Sequence, residues 1–113
     1  MRWALVLAMA LSVLALAAVR EGRAATPAAQ ASATKTVAIR GFAFRPPTIR
    51  VRKGGRVAFV NSSKTAHTAT RAGSFDTRRI GPGESETVRF ERRGTFAYHC
   101  KIHPFMKGRV VVE

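Results

Sequence analysis

The sequence predicts a single all-β domain, a Greek-key β-sandwich, and three observations point to it. Short segments alternate apolar and polar residues, as half-buried strands do. Turns containing Gly and Pro separate these segments at regular intervals. No part of the domain has the periodicity of an amphipathic helix, and neither an internal repeat nor a second domain is indicated.

The first half of the domain contains three predicted strands. Thr36–Ile39 is a short, largely apolar run. Thr48–Arg52 follows a Pro-Pro interruption and alternates apolar with polar residues. Arg56–Asn61 alternates again beyond a Gly-Gly turn, so that Val57 and Phe59 are expected on one face of the sheet.

The second half contains three more predicted strands. Residues 74–80 show no pattern and are predicted to be irregular, and Glu84–Phe90 alternates after a Gly-Pro-Gly turn. In Thr95–Cys100 the alternation places Cys100 in a core-facing row at the end of the strand. Arg109–Val112 is predicted to close the domain as the last strand.

Residues 1–33 are predicted to be an export signal or membrane anchor followed by a linker. A basic residue precedes Ala4–Val19, a run of 16 residues that is apolar except for one serine. Cleaved export is favoured over a retained anchor, because a membrane span usually needs ~17–25 residues. An Ala-rich linker without periodicity follows. Both interpretations place the domain, residues 34–113, outside the cytoplasm, in the periplasm, and at the membrane only if the anchor is retained.

The single cysteine of the chain needs an explanation in an exported domain of this size. Such domains are often held by disulfides, but one cysteine cannot form an internal one. Cys100 is followed by His103 and Met106 in the pattern Cys-x2-His-x2-Met. A thiolate, an imidazole and a thioether around one ion suit copper, and His67, after a polar loop, would add the second imidazole. His99 should point away from Cys100.

Each of these residues also has an ordinary structural interpretation. A lone Cys or Met is often only a core side chain. A structural zinc site usually brings more Cys or His ligands than this chain has, and a thioether is a poor zinc ligand. The predicted cofactor is therefore one copper ion at a site made from His67, Cys100, His103 and Met106. The phenylalanines considered for packing around this site are Phe44, Phe59, Phe96 and Phe105.

The segment from Tyr98 to Glu113 resembles the last ligand loop and strand of the cupredoxins, the type 1 blue copper proteins. Its short gap between His103 and Met106 is typical of the amicyanin group of that family. The resemblance extends upstream through residues 47–61 and the Ala-His-Thr sequence around His67. Lys101 and Ile102, the stretch 70–80 and the basic surface depart from the family pattern.

The resemblance implies a role for each matching position. The ligands would be the four residues named above. The Thr68 backbone N–H would bond the cysteine sulfur, and Asn61 would tie the two ligand-bearing segments together. Electrons would pass through an exposed patch formed by His103, Pro104 and Phe105.

The predicted function is that of a monomeric one-electron carrier between extracytoplasmic redox proteins, cycling between Cu(I) and Cu(II). An enzyme is not predicted, because catalysis needs an open metal position and further ligands. A copper-binding or copper-delivery protein remains the alternative. It is disfavoured because Met- or His-rich tracts are missing.

The charge of the chain bears on its partners. The formal net charge is +14, and residues 34–113 carry 17 basic and five acidic residues, a net +12. Nucleic acid is the generic partner of so basic a domain, but export and the scattered placement of the cations argue against it. An acidic docking surface on a redox partner, an anionic membrane surface and a merely solvated basic surface remain open.

Overall fold

The computed structural model describes residues 33–113, together with Thr26 and Ala28. The predicted signal or anchor therefore lies outside the described residues. Every regular element within residues 33–113 is a β-strand, and no helix among the described residues is long and apolar enough to cross a membrane. The strands are β1 (Thr34–Arg40), β2 (Ala43–Arg45), β3 (Thr48–Val51), β4 (Arg56–Asn61), β5 (Thr70–Arg71), β6 (Phe75–Asp76), β7 (Ser85–Arg89), β8 (Gly94–His99) and β9 (Lys107–Val112).

The strands form two sheets that face each other. One sheet has the order β2-β1-β4-β7 and the other β3-β9-β8-β5-β6. The β1–β4 and β3–β9 pairs are parallel, and the remaining pairs are antiparallel. Strands adjacent in the chain, such as β3 and β4, lie in different sheets, as in Greek-key sandwiches. The predicted all-β sandwich is confirmed.

The core lies between the two sheets and follows from the alternation in the sequence. In β4 the side chains of Val57, Phe59 and Asn61 are buried, and the residues between them are only partly so. Tyr98 of β8 meets Phe44 and Phe59 of the opposite sheet, with ring centroids 4.7 and 5.3 Å apart. Edge-to-face aromatic contacts of this kind add to the free energy gained by burying apolar area.

The segment predicted to be irregular contains part of a small hairpin. β5 and β6 pair with each other, and Thr70 of β5 also pairs with His99 of β8. Each strand is two residues long, and Gly73 between them has a φ of 72°. Two residues are too few for alternation to be visible, which is why the sequence pattern did not reveal these strands.

Position 108, near the start of β9, requires a glycine because there is no room for a side chain. A Cβ at this position would lie 2.3 Å from the ring of Tyr98, its pairing partner on β8. The aromatic ring therefore lies across the backbone of the glycine. The strand itself begins at Lys107, two residues before the predicted start.

Several strand ends meet at one end of the sandwich. Cys100 follows β8 directly and Met106 precedes β9, so that residues 100–106 form a loop at this end. The 61–67 loop leaves β4 at the same end, and its last residue, His67, forms an isolated bridge with Ile80. The fold thereby brings together donors that are 33 or more residues apart in the chain.

Candidate metal centre

Three soft or borderline donors converge at this end of the sandwich. The Cys100 Sγ lies 3.9 Å from Nδ1 of His67 and 3.8 Å from Nδ1 of His103, and the two nitrogens are 3.2 Å apart. Nitrogen and sulfur donors about 2.0–2.3 Å from one shared ion lie roughly 3.5–3.7 Å from each other when arranged trigonally. The described residues thus place His67, Cys100 and His103 in a cluster that can hold a metal ion.

His67 is oriented by hydrogen bonds on the far side of its ring. Its Nε2 lies 2.9 Å from the Ser63 hydroxyl and 3.0 Å from the Thr65 hydroxyl. The Ser63 hydroxyl donates to Asn61 Oδ1 at 2.6 Å or to the Thr65 carbonyl at 2.9 Å, so its oxygen accepts from the ring. This arrangement favours the tautomer with the proton on Nε2, in which the lone pair of Nδ1 points into the cluster.

The electrostatics of His67 favour this neutral ring. Burial lowers the pKa of His67, and the proximity of His103 lowers that pKa further. A metal-ligating imidazole must be deprotonated at the donor nitrogen, so a depressed pKa keeps the donor available.

Cys100 is completely buried and is a free thiol. The backbone N–H of Thr68 donates to its Sγ at 3.3 Å. The neighbouring Lys101 N–H donates to the Thr68 hydroxyl at 2.9 Å. Thr68 thus joins the segment after His67 to the loop that contains the cysteine.

Met106 ends the same loop with its side chain buried. Its backbone N–H donates to the His103 carbonyl at 2.9 Å, and its carbonyl accepts from the Cys100 N–H at 3.0 Å. These two bonds close residues 100–106 into a tight loop. His99 is only half-buried between the buried Tyr98 and Cys100, and it does not belong to the donor cluster.

Asn61 has a different connection from the one that the resemblance implies. Its Nδ2 donates to the carbonyls of Thr65 and Ile80, and its Oδ1 accepts from the Ser63 N–H and hydroxyl. All of these partners lie in the loop before His67 or at Ile80, which pairs with His67, and none lies in the loop of residues 100–106. Among the described contacts, the link between the two ligand-bearing segments is made by Thr68, and Asn61 orients His67 through Ser63.

An apolar patch surrounds the partly exposed edge of His103. Phe105 is 68% exposed, Phe42 51% and Ile102 49%, and Pro104 is exposed too. The Phe42 ring lies 5.0 Å from the His103 ring, 5.8 Å from the His67 ring and 6.2 Å from the Phe105 ring. We call Phe42, Ile102, Pro104 and Phe105 the apolar patch.

Phe42 contacts both cluster histidines although no sequence pattern predicted it, and three of the four phenylalanines considered lie elsewhere. Phe44 and Phe59 are core residues packed on Tyr98, and Phe96 packs on Phe90. Of the four phenylalanines considered, Phe105 is the one with a described contact to a cluster histidine. A phenylalanine directly after a glycine in a turn was the available signal for Phe42, because a large apolar side chain is unusual there.

Comparison with known proteins identifies the family. A family model for the cupredoxin-like domain matches residues 4–112. The chain belongs to the cupredoxin-like family. Amicyanin-alpha from Methylorubrum extorquens AM1 is 32% identical to it over 117 residues, covering 97% of this chain and 98% of that protein. Amicyanin from Paracoccus denitrificans is 33% identical over 76 residues, covering 62% of this chain and 58% of that protein.

The likeness extends to solved structures. The reduced Cu(I) form, at pH 4, of an amicyanin variant is similar to this cupredoxin with a TM-score of 0.66 and 29% identity, covering 71% of this chain and 82% of that one. The predicted resemblance to amicyanins is thereby confirmed. So is the predicted copper cofactor, because the family is that of copper proteins and the chain has a His-Cys-His cluster that can hold the ion.

Proposed function

We propose that this cupredoxin is a one-electron carrier with a type 1 copper site, in which His67, Cys100, His103 and Met106 are the ligands. The observation that carries the proposal is the convergence of one buried thiol and two imidazole Nδ1 atoms, with all donor atoms within 4.8 Å of one another. When bound, copper supplies the Cu(I)/Cu(II) couple. The buried Met106, at the end of the loop, would be the fourth ligand, a weakly binding thioether that would tune the potential.

The residues of this chain hold the donors in place. The Ser63 and Thr65 hydroxyls fix the ring of His67, and the Thr68 N–H bonds the cysteine sulfur. Cys100 and His67 are fully buried, which excludes water from that side of the centre. A rigid, dry donor set needs little rearrangement when the charge of the site changes, which suits electron transfer.

His103 is proposed as the exit for the electron. It is the cluster residue that is only partly buried, and the apolar patch surrounds its edge. A patch of this kind can dock briefly against another apolar surface, which is what a mobile carrier needs.

We also propose where this carrier works and which proteins it meets. Residues 1–33 act as a cleaved export signal with a linker, or as a retained anchor, and residues 34–113 work as a monomer in the periplasm. The partners are redox proteins, with an acidic docking surface favoured by the net charge of +12 in this domain. Such a complex should weaken with added salt.

A visible spectrum of the copper-loaded domain tests the function. We expect an intense blue thiolate-to-copper band that bleaches with a reductant and returns on oxidation. Cys100→Ser should abolish the band, because the thiolate is its source. His99→Ala is the matched control: it removes a histidine beside Cys100 that does not belong to the cluster, so the band should stay.

Two results would contradict the proposal. Binding of Cu(I) alone, or of colourless copper, would favour the alternative, a copper-binding or copper-delivery protein. A blue band that survives Cys100→Ser would exclude this cysteine as the thiolate ligand.

A further inference from the structure

Two segments that depart from the family pattern meet beside the metal centre. Lys101 lies in the ligand loop, and Asp76 lies on β6 within the poorly matching stretch 70–80. The Lys101 ammonium pairs with Asp76 Oδ2 at 2.5 Å. One residue from each of these two segments is thus in direct contact with the other.

A chain of hydrogen bonds joins the same two residues by a second route. The Lys101 N–H donates to the Thr68 hydroxyl at 2.9 Å, the hydroxyls of Thr68 and Thr70 are 3.0 Å apart, and the Thr70 hydroxyl donates to Asp76 Oδ1 at 3.0 Å. An ionised carboxylate can only accept, and each hydroxyl has a single proton. The Thr70 hydroxyl therefore donates its hydrogen bond to Asp76, and the Thr68 hydroxyl donates to Thr70. The Asp76 carboxylate therefore sets the direction of the hydrogen bonds that run through Thr70 and Thr68.

Further contacts keep the Asp76 carboxylate in place and ionised, so that it can accept these hydrogen bonds. Its Oδ1 also accepts the Arg78 N–H at 2.7 Å. The bond from Lys101 lowers the pKa of Asp76, and the bonds from Arg78 and Thr70 act in the same direction. The group is therefore an acceptor at neutral pH.

Thr68 connects this series of hydrogen bonds to Cys100, one of the proposed copper ligands. Its hydroxyl accepts from Lys101, and its own N–H donates to Cys100 Sγ at 3.3 Å. Fixing the Thr68 hydroxyl therefore also fixes the position of the donor that faces the thiolate. A hydrogen bond to the cysteine sulfur favours the reduced state, in which more negative charge stays on sulfur, and raises the reduction potential.

We propose that Asp76 is a positioning residue of the metal centre: acting through Thr70 and Thr68, its carboxylate holds the Thr68 N–H on the Cys100 sulfur and keeps the reduction potential high. This inference rests on the proposed copper site. It adds a residue that touches none of the four proposed ligands.

Thr70→Val separates this effect from simple electrostatics. The variant cuts the hydrogen-bond chain and leaves the net charge unchanged, so we expect a lower reduction potential and a shifted thiolate-to-copper band. Thr70→Ser keeps a hydroxyl at the position and should restore both values towards the wild type.

Asp76→Ala removes the acceptor of the Thr70 hydroxyl, and it also removes a negative charge near the metal, which by itself would raise the potential. Its effect is therefore measured in a double-mutant cycle with Thr70→Val. We expect the two effects on the potential to be non-additive. Glu91→Ala is the matched control, since Glu91 is also an ion-paired carboxylate, with Arg89 at 2.9 Å, but lies at the other end of β8. It should leave the band position unchanged.

Amide hydrogen exchange of the metal-free full chain provides a readout independent of copper. Without an acceptor for its proton, the Thr68 hydroxyl is no longer held in place to accept from Lys101, and we expect the exchange rate of the Lys101 amide to rise about tenfold in Thr70→Val and in Asp76→Ala. Thr70→Ser and Glu91→Ala should exchange as the wild type does.

The outcomes are distinguishable. A wild type without a blue band overturns the proposed function. A blue wild type with an unchanged potential and unchanged Lys101 exchange in Thr70→Val overturns the role of Asp76 alone. Additive effects in the cycle would likewise contradict it, because they would mean that Asp76 and Thr70 act separately.

Discussion

At the scale of single residues, the tautomer of His67 follows from two hydroxyl groups on the loop before it. The Ser63 hydroxyl donates to Asn61 Oδ1 or to the Thr65 carbonyl, which leaves the Ser63 oxygen to accept from the His67 ring. This arrangement favours a proton on Nε2 and leaves Nδ1 for the metal. Partners of this kind around a metal ligand typically change affinity by 10–100-fold, roughly, when they are lost.

The combined variant Ser63→Ala/Thr65→Val should therefore weaken copper binding by about 10–100-fold. Both hydroxyls that hold Nε2 are removed, and the ring is free to change its tautomer and orientation. The measurement is a competition titration against a chelator of known affinity. Ser62→Ala is the control, because this exposed neighbour has no described side-chain contact with His67. Equal affinities in all three proteins would show that the hydroxyls do not orient the ligand.

At the scale of elements, the β8–β9 pair connects the core to the ligand loop. Tyr98 and Gly108 are opposite each other in this pair, and the tyrosine ring occupies the space that a side chain would take. The same two strands hold Cys100 at one end of the loop and Met106 at the other. Core packing and the separation of the proposed ligands therefore depend on the same strand pair.

Gly108→Ala should destabilise the domain by about 1–3 kcal/mol, the usual cost of forcing an extra methyl group into a packed position. Urea unfolding of the metal-free protein measures it. Gly81→Ala is the control, because a Cβ there would meet only the flexible end of Glu84. If the two variants lost the same stability, the close approach of Tyr98 would not be the cause.

At the scale of the whole molecule, the charge and the apolar patch act over different distances. The net charge of +12 acts through solvent and is screened by salt, whereas contact between apolar side chains is short-ranged. Two copies of this protein repel each other through the charge and can meet through the patch. The rate of electron exchange between reduced and oxidised copies reports on both.

We expect this self-exchange rate to rise with ionic strength, because salt screens the repulsion between two basic proteins. Line broadening in NMR spectra of mixed oxidation states measures the rate. Phe42→Ala should lower the rate without changing its dependence on salt, because the variant removes patch area and no charge. A rate independent of salt would mean that the basic residues lie too far from the contact to matter.

The prediction from sequence was most successful where a local pattern carries the information. Arg56–Asn61 alternates over six residues and forms β4 with the same bounds, and the Cys-x2-His-x2-Met spacing predicted the loop from which Cys100 and His103 enter the donor cluster. It failed for the hairpin of β5 and β6, where each strand is too short to show a period. It also missed Phe42, Ser63 and Thr65, whose roles arise from neighbours that are close in space.

The sequence by itself determined the all-β fold, the family and the donor types, because alternation, turn residues and short ligand spacing are local properties. Only the tertiary structure decided which atoms of those donors meet, which hydroxyls hold the His67 ring, and which aromatic side chains surround His103. The hydrogen-bond chain from Lys101 to Asp76 was also decided there. These features depend on the register between strands and on the approach of distant loops, which follow from packing the two sheets against each other rather than from any short run of residues.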